Sequence, residues 1–197
     1  VLFQLVFLTC LHIRSCVLTN NLRSTHIRGI FELTSEVFYD HRGIFLNAFR
    51  SQERAFIDSW DSRGIEQVNI SRTELIGSIR GLHYQRHPHS EAKLVRCLRG
   101  RIWDVAIDLR DGSGTYGHWH SLELSPDKAN SLLIPEGCAH GFQVLEPGSE
   151  LLYLHSGPWV PSHESGIRFD DPTLAIPWPL MPQGLNYQDL NLPFLQN

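Results

Sequence analysis

From Ile30 onward the chain is a succession of short apolar runs set about ten residues apart, with turn chemistry between them and little room for helices. That rhythm restricts the fold to a sandwich or a barrel of antiparallel strands. The clearest run is Ile102 to Leu109, where Trp103, Val105, Ile107 and Leu109 fall on one face and Asp104 and Asp108 on the other, the alternation of a half-buried strand. Arg110-Asp111-Gly112-Ser113-Gly114 then closes a turn. Further strands are expected at Leu82 to Gln85, Leu94 to Leu98, Trp119 to Leu124, Leu132 to Ile134, Phe142 to Leu145 and Leu151 to His155. Helical signals are confined to Ser51 to Ile57 and to Ser125-Pro126-Asp127, which reads as an N-cap followed by Pro at the first helical position. Beyond Pro172 the prolines at 177, 179, 182 and 193 predict irregular chain wrapped around the barrel.

Length and charge narrow the class further. A chain of 197 residues suits one domain, expected over 23–197, with a barrel from about Ile30 to Leu180. The apolar run Val1 to Leu11 is too short to span a bilayer and lacks the basic flank of a secretory signal. Residues 1–22 are therefore expected to form an extension outside the fold, of a cytoplasmic protein with no membrane partner. Seventeen Lys and Arg against 21 Asp and Glu leave a net charge of −4 and no basic run, which excludes a nucleic-acid partner. The four cysteines show no CxxC pair and no finger spacing, so neither a disulfide scaffold nor structural zinc is expected. Eleven histidines direct attention to proton transfer or metal ligation.

Two segments carry that chemistry. Gly81-x5-His87-x-His89-x3-Lys93-x6-Gly100 and Pro135-x-Gly137-x2-His140 resemble the two motifs of the cupin superfamily, whose metal-binding members place two His and a Glu in the first and a His in the second. Lys93 stands where the Glu belongs, and a cation there repels a divalent metal. The resemblance thus implies an all-β, cupin-type antiparallel jelly-roll barrel with short helices and no metal, with His87 and His89 in a solvated loop. A metal-dependent cupin using His87, His89 and His140 is the competing reading.

A closer resemblance rests on several blocks in order. Arg80-Gly81-Leu82-His83-Tyr84-Gln85, Ala92-Lys93-Leu94-Val95-Arg96 and Ile134-Pro135-Glu136-Gly137-Cys138-Ala139-His140-Gly141-Phe142 are similar to the dTDP-4-dehydrorhamnose 3,5-epimerase family. So are Asp40-His41-Arg42-Gly43-Ile44-Phe45, Gln67-Val68-Asn69-Ile70-Ser71, Phe169-Asp170-Asp171-Pro172 and Ile176-Pro177-Trp178-Pro179. The resemblance implies epimerisation beside the ketone of a dTDP-4-keto-6-deoxy sugar, without cofactor, by a homodimer.

Such a reaction needs a base, a cation for the enolate oxygen and an acid on the opposite face. The resemblance implies His83 as base, Lys93 as the group at the C4 oxygen, Tyr153 as acid and His140 as a further contact to the enolate. A carboxylate orients the base: Asp189 matches in spacing, with Asp171 the competitor. For the nucleotide, Arg42 and Arg80 suit a diphosphate because guanidinium forks onto its oxygens. The resemblance adds Gln67, Asn69 and Glu164 as polar contacts, Phe45 as apolar support and Trp159 as the platform for the base. Asn47 and Pro158-Trp159 depart from the family pattern, where Glu and a pair of aromatics are usual, and open an alternative in which one carbon alone is epimerised. A noncatalytic sugar-nucleotide binder is the remaining reading; the set His83, Lys93, Tyr153 and Asp189 argues against it, because binding requires no acid and base.

Overall fold

The computed structural model describes residues 21–52, 59–60 and 63–195, in which thirteen strands build two facing antiparallel sheets and a hairpin. One sheet runs β1 (Asn21–Ser24), β2 (Phe31–Thr34), β10 (Asn130–Ile134), β7 (Lys93–Arg99), β12 (Ser149–His155) and β5 (Gln67–Thr73). The other runs β13 (Glu164–Gly166), β6 (Ile79–Gln85), β11 (Cys138–Val144), β8 (Ile102–Asp108) and β9 (Trp119–Leu124). Among the described residues, the hairpin β3 (Val37–Asp40) and β4 (Gly43–Leu46) pairs only with itself. This is the expected jelly-roll barrel of the cupin type, and the first strand among the described residues starts at Asn21, upstream of Ile30. The apolar segment Val1 to Leu11 and most of the helix expected at Ser51 to Ile57 lie outside the described residues, as do Cys10 and Cys16. Among the described residues, no helix is long and apolar enough to cross a membrane.

The second expected helix is absent. Residues 126–129 form a turn between β9 and β10, in which the Lys128 amide donates to Ser125 Oγ as at a helix start. Ala129 then adopts φ 49°, a left-handed conformation that ends any helical path, and Asn130 enters β10.

Strand β8 alternates as expected but is not half-buried. Val105 and Ile107, with half-buried Trp103, pack under Ile167, Leu174 and Ile176 of the C-terminal chain. Ile102 and Ala106 face the barrel interior beside Leu132 and Phe142. Both faces are therefore shielded, and Asp104 and Asp108 are fully buried. Asp108 is held ionised against its burial by Arg110, Ser113 and Thr115, and so anchors the turn that follows. Asp104 points inward. The proline-rich C-terminal chain wraps the outer face as expected, pinned by hydrogen bonds from Trp119 Nε1 to the Leu174 carbonyl and from Trp178 Nε1 to that of Phe169. Cys97 and Cys138 are buried free thiols that desolvation pushes up to about 11 and about 12.

Candidate active site

A cavity of about 550 Å³ opens between the two sheets at the ends of β5, β6, β7, β11 and β12. His83 of β6 and His140 of β11 are direct cross-strand partners in its wall. Tyr153 stands on β12 of the facing sheet, with its hydroxyl 3.2 Å from Ser71 Oγ of β5. Burial pushes the Tyr153 phenol well above its ordinary pKa, so it holds its proton at neutral pH.

The partner of His83 arrives from far along the chain. Asn186 caps the short helix Tyr187–Leu190 by accepting the Asp189 amide at 2.6 Å, a role its type favours at this position. The cap turns the Asp189 carboxylate inward, where Oδ1 lies 2.7 Å from His83 Nε2 and Oδ2 accepts the Gly81 amide at 3.2 Å. With Nε2–H donated to Asp189, the imidazole lone pair sits on Nδ1. Gly81 permits the close approach of β6 to β11 at this point: its φ is 116°, and a Cβ there would lie 2.6 Å from the His140 carbonyl oxygen. Asp171, the competing carboxylate, is occupied elsewhere, accepting the amides of Thr173, Leu174 and Leu195 to shape the C-terminal chain.

Lys93 is nearly buried, its Nζ 3.2 Å from the His83 carbonyl oxygen and 3.1 Å from Glu91 Oε1. Glu91 also accepts from Gln85 Nε2 at 2.6 Å, and Gln85 Oε1 in turn receives the Val160 amide. A continuous polar chain thus ties Lys93 to the rim segment that carries Trp159. His140 Nε2 lies 2.7 Å from Asp104 Oδ1 within the barrel. Burial raises the Asp104 pKa while the His140 charge works against it, and Asp104 Oδ2 has no hydrogen-bond partner.

The sequence-predicted residues divide into two groups. His83, Lys93, His140, Tyr153, Asp189, Asn69, Arg80, Trp159 and Glu164 line the cavity, and Gln67 braces its rim by accepting the Trp159 amide. Arg42 and Phe45 do not reach it. They sit on the β3–β4 hairpin, where Arg42 pairs with Asp40 and Phe45 is exposed. Asn47 is outside the cavity lining as well, and its backbone carbonyl accepts from Ser35 Oγ. His87 and His89 lie on the turn after β6, outside the cavity lining, with the His89 ring against His163 rather than His140. Among the described residues no cluster of three His, Cys, Asp or Glu side chains is arranged to hold a metal.

Sequence reasoning missed Asp104, Glu91 and Ser71. The half-buried alternation expected of β8 sets Asp104 opposite the apolar face and gives it no role in the site. Glu91 stands two residues before Lys93, the spacing that places side chains on one face of extended chain, and that signal was available.

A sequence profile described as dTDP-4-dehydrorhamnose 3,5-epimerase matches residues 24–197. The chain belongs to the dTDP-4-dehydrorhamnose 3,5-epimerase family. It is 43% identical over 144 residues to the dTDP-4-dehydrorhamnose 3,5-epimerase of Sinorhizobium fredii, covering 73% of each chain. It is 38% identical over 158 residues to a dTDP-4-dehydrorhamnose 3-epimerase of Streptomyces niveus, covering 80% of this chain and 75% of that one. Among solved structures, the Legionella pneumophila dTDP-6-deoxy-D-glucose-3,5-epimerase in complex with dTDP-4-keto-L-rhamnose superposes with a TM-score of 0.80 at 33% identity, covering 91% of this chain and all of that one.

Proposed function

We propose that this member of the epimerase family converts dTDP-4-dehydro-6-deoxy-D-glucose to dTDP-4-dehydro-L-rhamnose by inverting C3 and C5, a step toward dTDP-L-rhamnose. The observation that carries the reading is a base and an acid on opposite walls of one cavity: the His83–Asp189 pair on β6 and the Tyr153 hydroxyl on β12, with the Lys93 ammonium at the same end of the cavity. A proton on carbon beside a ketone is acidic only as far as the enolate is stabilised, and an ammonium in a shielded site stabilises that oxygen far better than water does. His83 Nδ1 takes the proton from one face while Lys93 meets the C4 oxygen, and His140 stands beside it. Tyr153 then delivers its own proton to the opposite face. The resulting imidazolium and phenolate exchange the proton through solvent, and the enzyme returns to its starting state. Asp189 orients the imidazole and offsets its positive charge.

The diphosphate and base extend toward Arg80, Gln67, Asn69, Glu164 and Trp159. Trp159 is 58% exposed and presents its face at the rim, while its Nε1–H reaches Glu164.

Arg42 and Phe45 complete this site from a second copy of the chain. Among the described residues their hairpin pairs with neither sheet and exposes Tyr39, Ile44 and Phe45, and a two-stranded hairpin with an apolar face is not stable in water by itself. Strand β5, an open sheet edge beside the cavity, exposes Val68 and Ile70. A homodimer that covers both features brings the hairpin of one protomer to the rim of the other.

The deciding experiment is NMR of the reaction in D2O with dTDP-4-keto-6-deoxyglucose, coupled to a reductase. Deuterium at C3 and C5 with formation of the L-sugar is expected. Exchange at one carbon selects the single-site reading, which the Streptomyces niveus 3-epimerase relationship and the Pro158-Trp159 departure favour. No exchange at either carbon removes the enzymatic reading.

A further inference from the structure

The mechanism above makes no use of His155, an imidazole in the cavity wall two residues beyond Tyr153 on the same face of β12. The two rings lie nearly parallel, 21° apart in plane with centroids at 6.0 Å. Directly opposite His155 on the neighbouring strands stand Lys93 of β7 and Gln67 of β5. Its Nε2 lies 3.4 Å from Asn69 Nδ2. His155 therefore occupies the interval between the end of the cavity assigned to the sugar ketone and the residues assigned to the nucleoside. In a sugar nucleotide that interval is filled by the diphosphate.

We propose that His155 is a further substrate-contacting residue, whose imidazole donates a hydrogen bond to the diphosphate linkage of the substrate. The inference rests on the nucleotide-sugar reading of the cavity. The Asn69 Nδ2–H pointing at Nε2 places the imidazole proton on Nδ1, which is the atom left to donate to a phosphate oxygen.

The charge environment adds a pH dependence. In the free cavity, burial, then Lys93 on β7, then His140 on β11 hold His155 down to about 4. At neutral pH about one molecule in a thousand then carries the imidazolium, too few for His155 to replace Tyr153 as the acid. Tyr153, its neighbour on β12, is neutral, and the nearby Glu91 carboxylate is committed to Lys93 and Gln85. No anion therefore compensates an imidazolium until the diphosphate arrives. Two negative charges placed against His155 reverse the local field and draw a proton onto it. Because the bound form holds the proton more tightly than the free form, binding strengthens as pH falls from about 8 toward 6.

Calorimetry with dTDP-glucose, a sugar nucleotide that has no ketone and whose diphosphate does not titrate in this range, tests the proposal. The titration is run in buffers of different ionisation enthalpy, on wild type and His155→Gln. Wild type takes up a fraction of a proton at about pH 6. The variant loses that uptake and binds about three- to tenfold more weakly there, with a smaller difference at about pH 8. Equal uptake and equal affinity in the two proteins overturn the proposal. Should the variant fail to fold, histidine C2–H titrations of the wild type decide the matter. The imidazole with contacts to both the Tyr153 ring and the Asn69 side-chain amide, which distinguishes His155 from His140, must show a raised midpoint when dTDP-glucose is bound, and an unmoved midpoint overturns the assignment. Absence of any dTDP-glucose binding to wild type defeats the nucleotide-sugar reading itself and this inference with it.

Discussion

Two histidines of the cavity wall pair with carboxylates at the same 2.7 Å contact in different surroundings. His83 is 30% exposed to the cavity, and its partner Asp189 has its second oxygen satisfied by a backbone amide. His140 is 7% exposed, and its partner Asp104 lies fully buried with an oxygen that finds no donor. A carboxylate anchored at both oxygens fixes one tautomer of its histidine, which suits a base that must pick up a proton from substrate. Burial raises the Asp104 pKa while the His140 charge opposes it, and no backbone amide anchors the second oxygen. That arrangement suits a group that polarises and positions. Identical residue types at identical distance thus acquire different work from solvent access and from where the second oxygen goes.

Substitutions probe that distinction, the most damaging at the exposed pair. His83→Ala is expected to lower turnover by about 10² to 10⁴, with dTDP affinity by calorimetry nearly unchanged. A loss of only a few-fold would remove His83 as the base. Tyr153→Phe separates the two halves of the reaction. Deuterium exchange at the reacting carbon persists because removal and return on one face need only His83, while inversion measured by NMR falls sharply. Unchanged inversion in a folded variant would take Tyr153 out of the mechanism.

Asp189→Asn is expected to cost about tenfold to a hundredfold in turnover, less than loss of the base itself. Asp171→Asn should leave turnover near wild type and lower the melting temperature, since Asp171 caps three backbone amides. The reverse pattern would transfer the orienting role to Asp171. Asp104→Asn sharpens the comparison most directly: turnover within about tenfold of wild type and a stability loss of about 1–3 kcal/mol by thermal unfolding, because the change disturbs one buried hydrogen bond. A turnover loss equal to that of Asp189→Asn would show that burial does not distinguish the two pairs.

Legibility in the sequence followed the range of the interactions involved. The strands were readable because apolar alternation is local, and the observed β8 and β9 match their expected spans almost residue for residue. The turn after Ser125 was misread as a helix start because its first bond is the same as that of an N-cap. What ends it is strand pairing of β10, three strands away in sequence from its partner β7 at Lys93 to Arg96. Asp189 was legible through resemblance and spacing, and Asn186 shows the local reason, an N-cap that aims the carboxylate. Glu91 stands two residues before Lys93, and that local spacing alone was enough to mark it as the counter-charge of the lysine.

By itself the sequence determined the barrel, since a period of two with turns at short intervals admits few other folds, and it determined the chemistry-bearing residue types at His83, Lys93, His140, Tyr153 and Asp189. Only the tertiary structure decided where those faces point. Alternation along β8 separates Asp104 from Val105, but it does not say which side is interior. The C-terminal chain covers the apolar side, and closure of the two sheets turns the aspartate side inward against His140. The hairpin bearing Arg42 and Phe45 makes the same point in reverse. Its motif reads as part of the site, yet within one chain it stands apart from the cavity, because a motif specifies side chains and a turn, whereas the distance to a site hundreds of atoms away is set by how the sheets close.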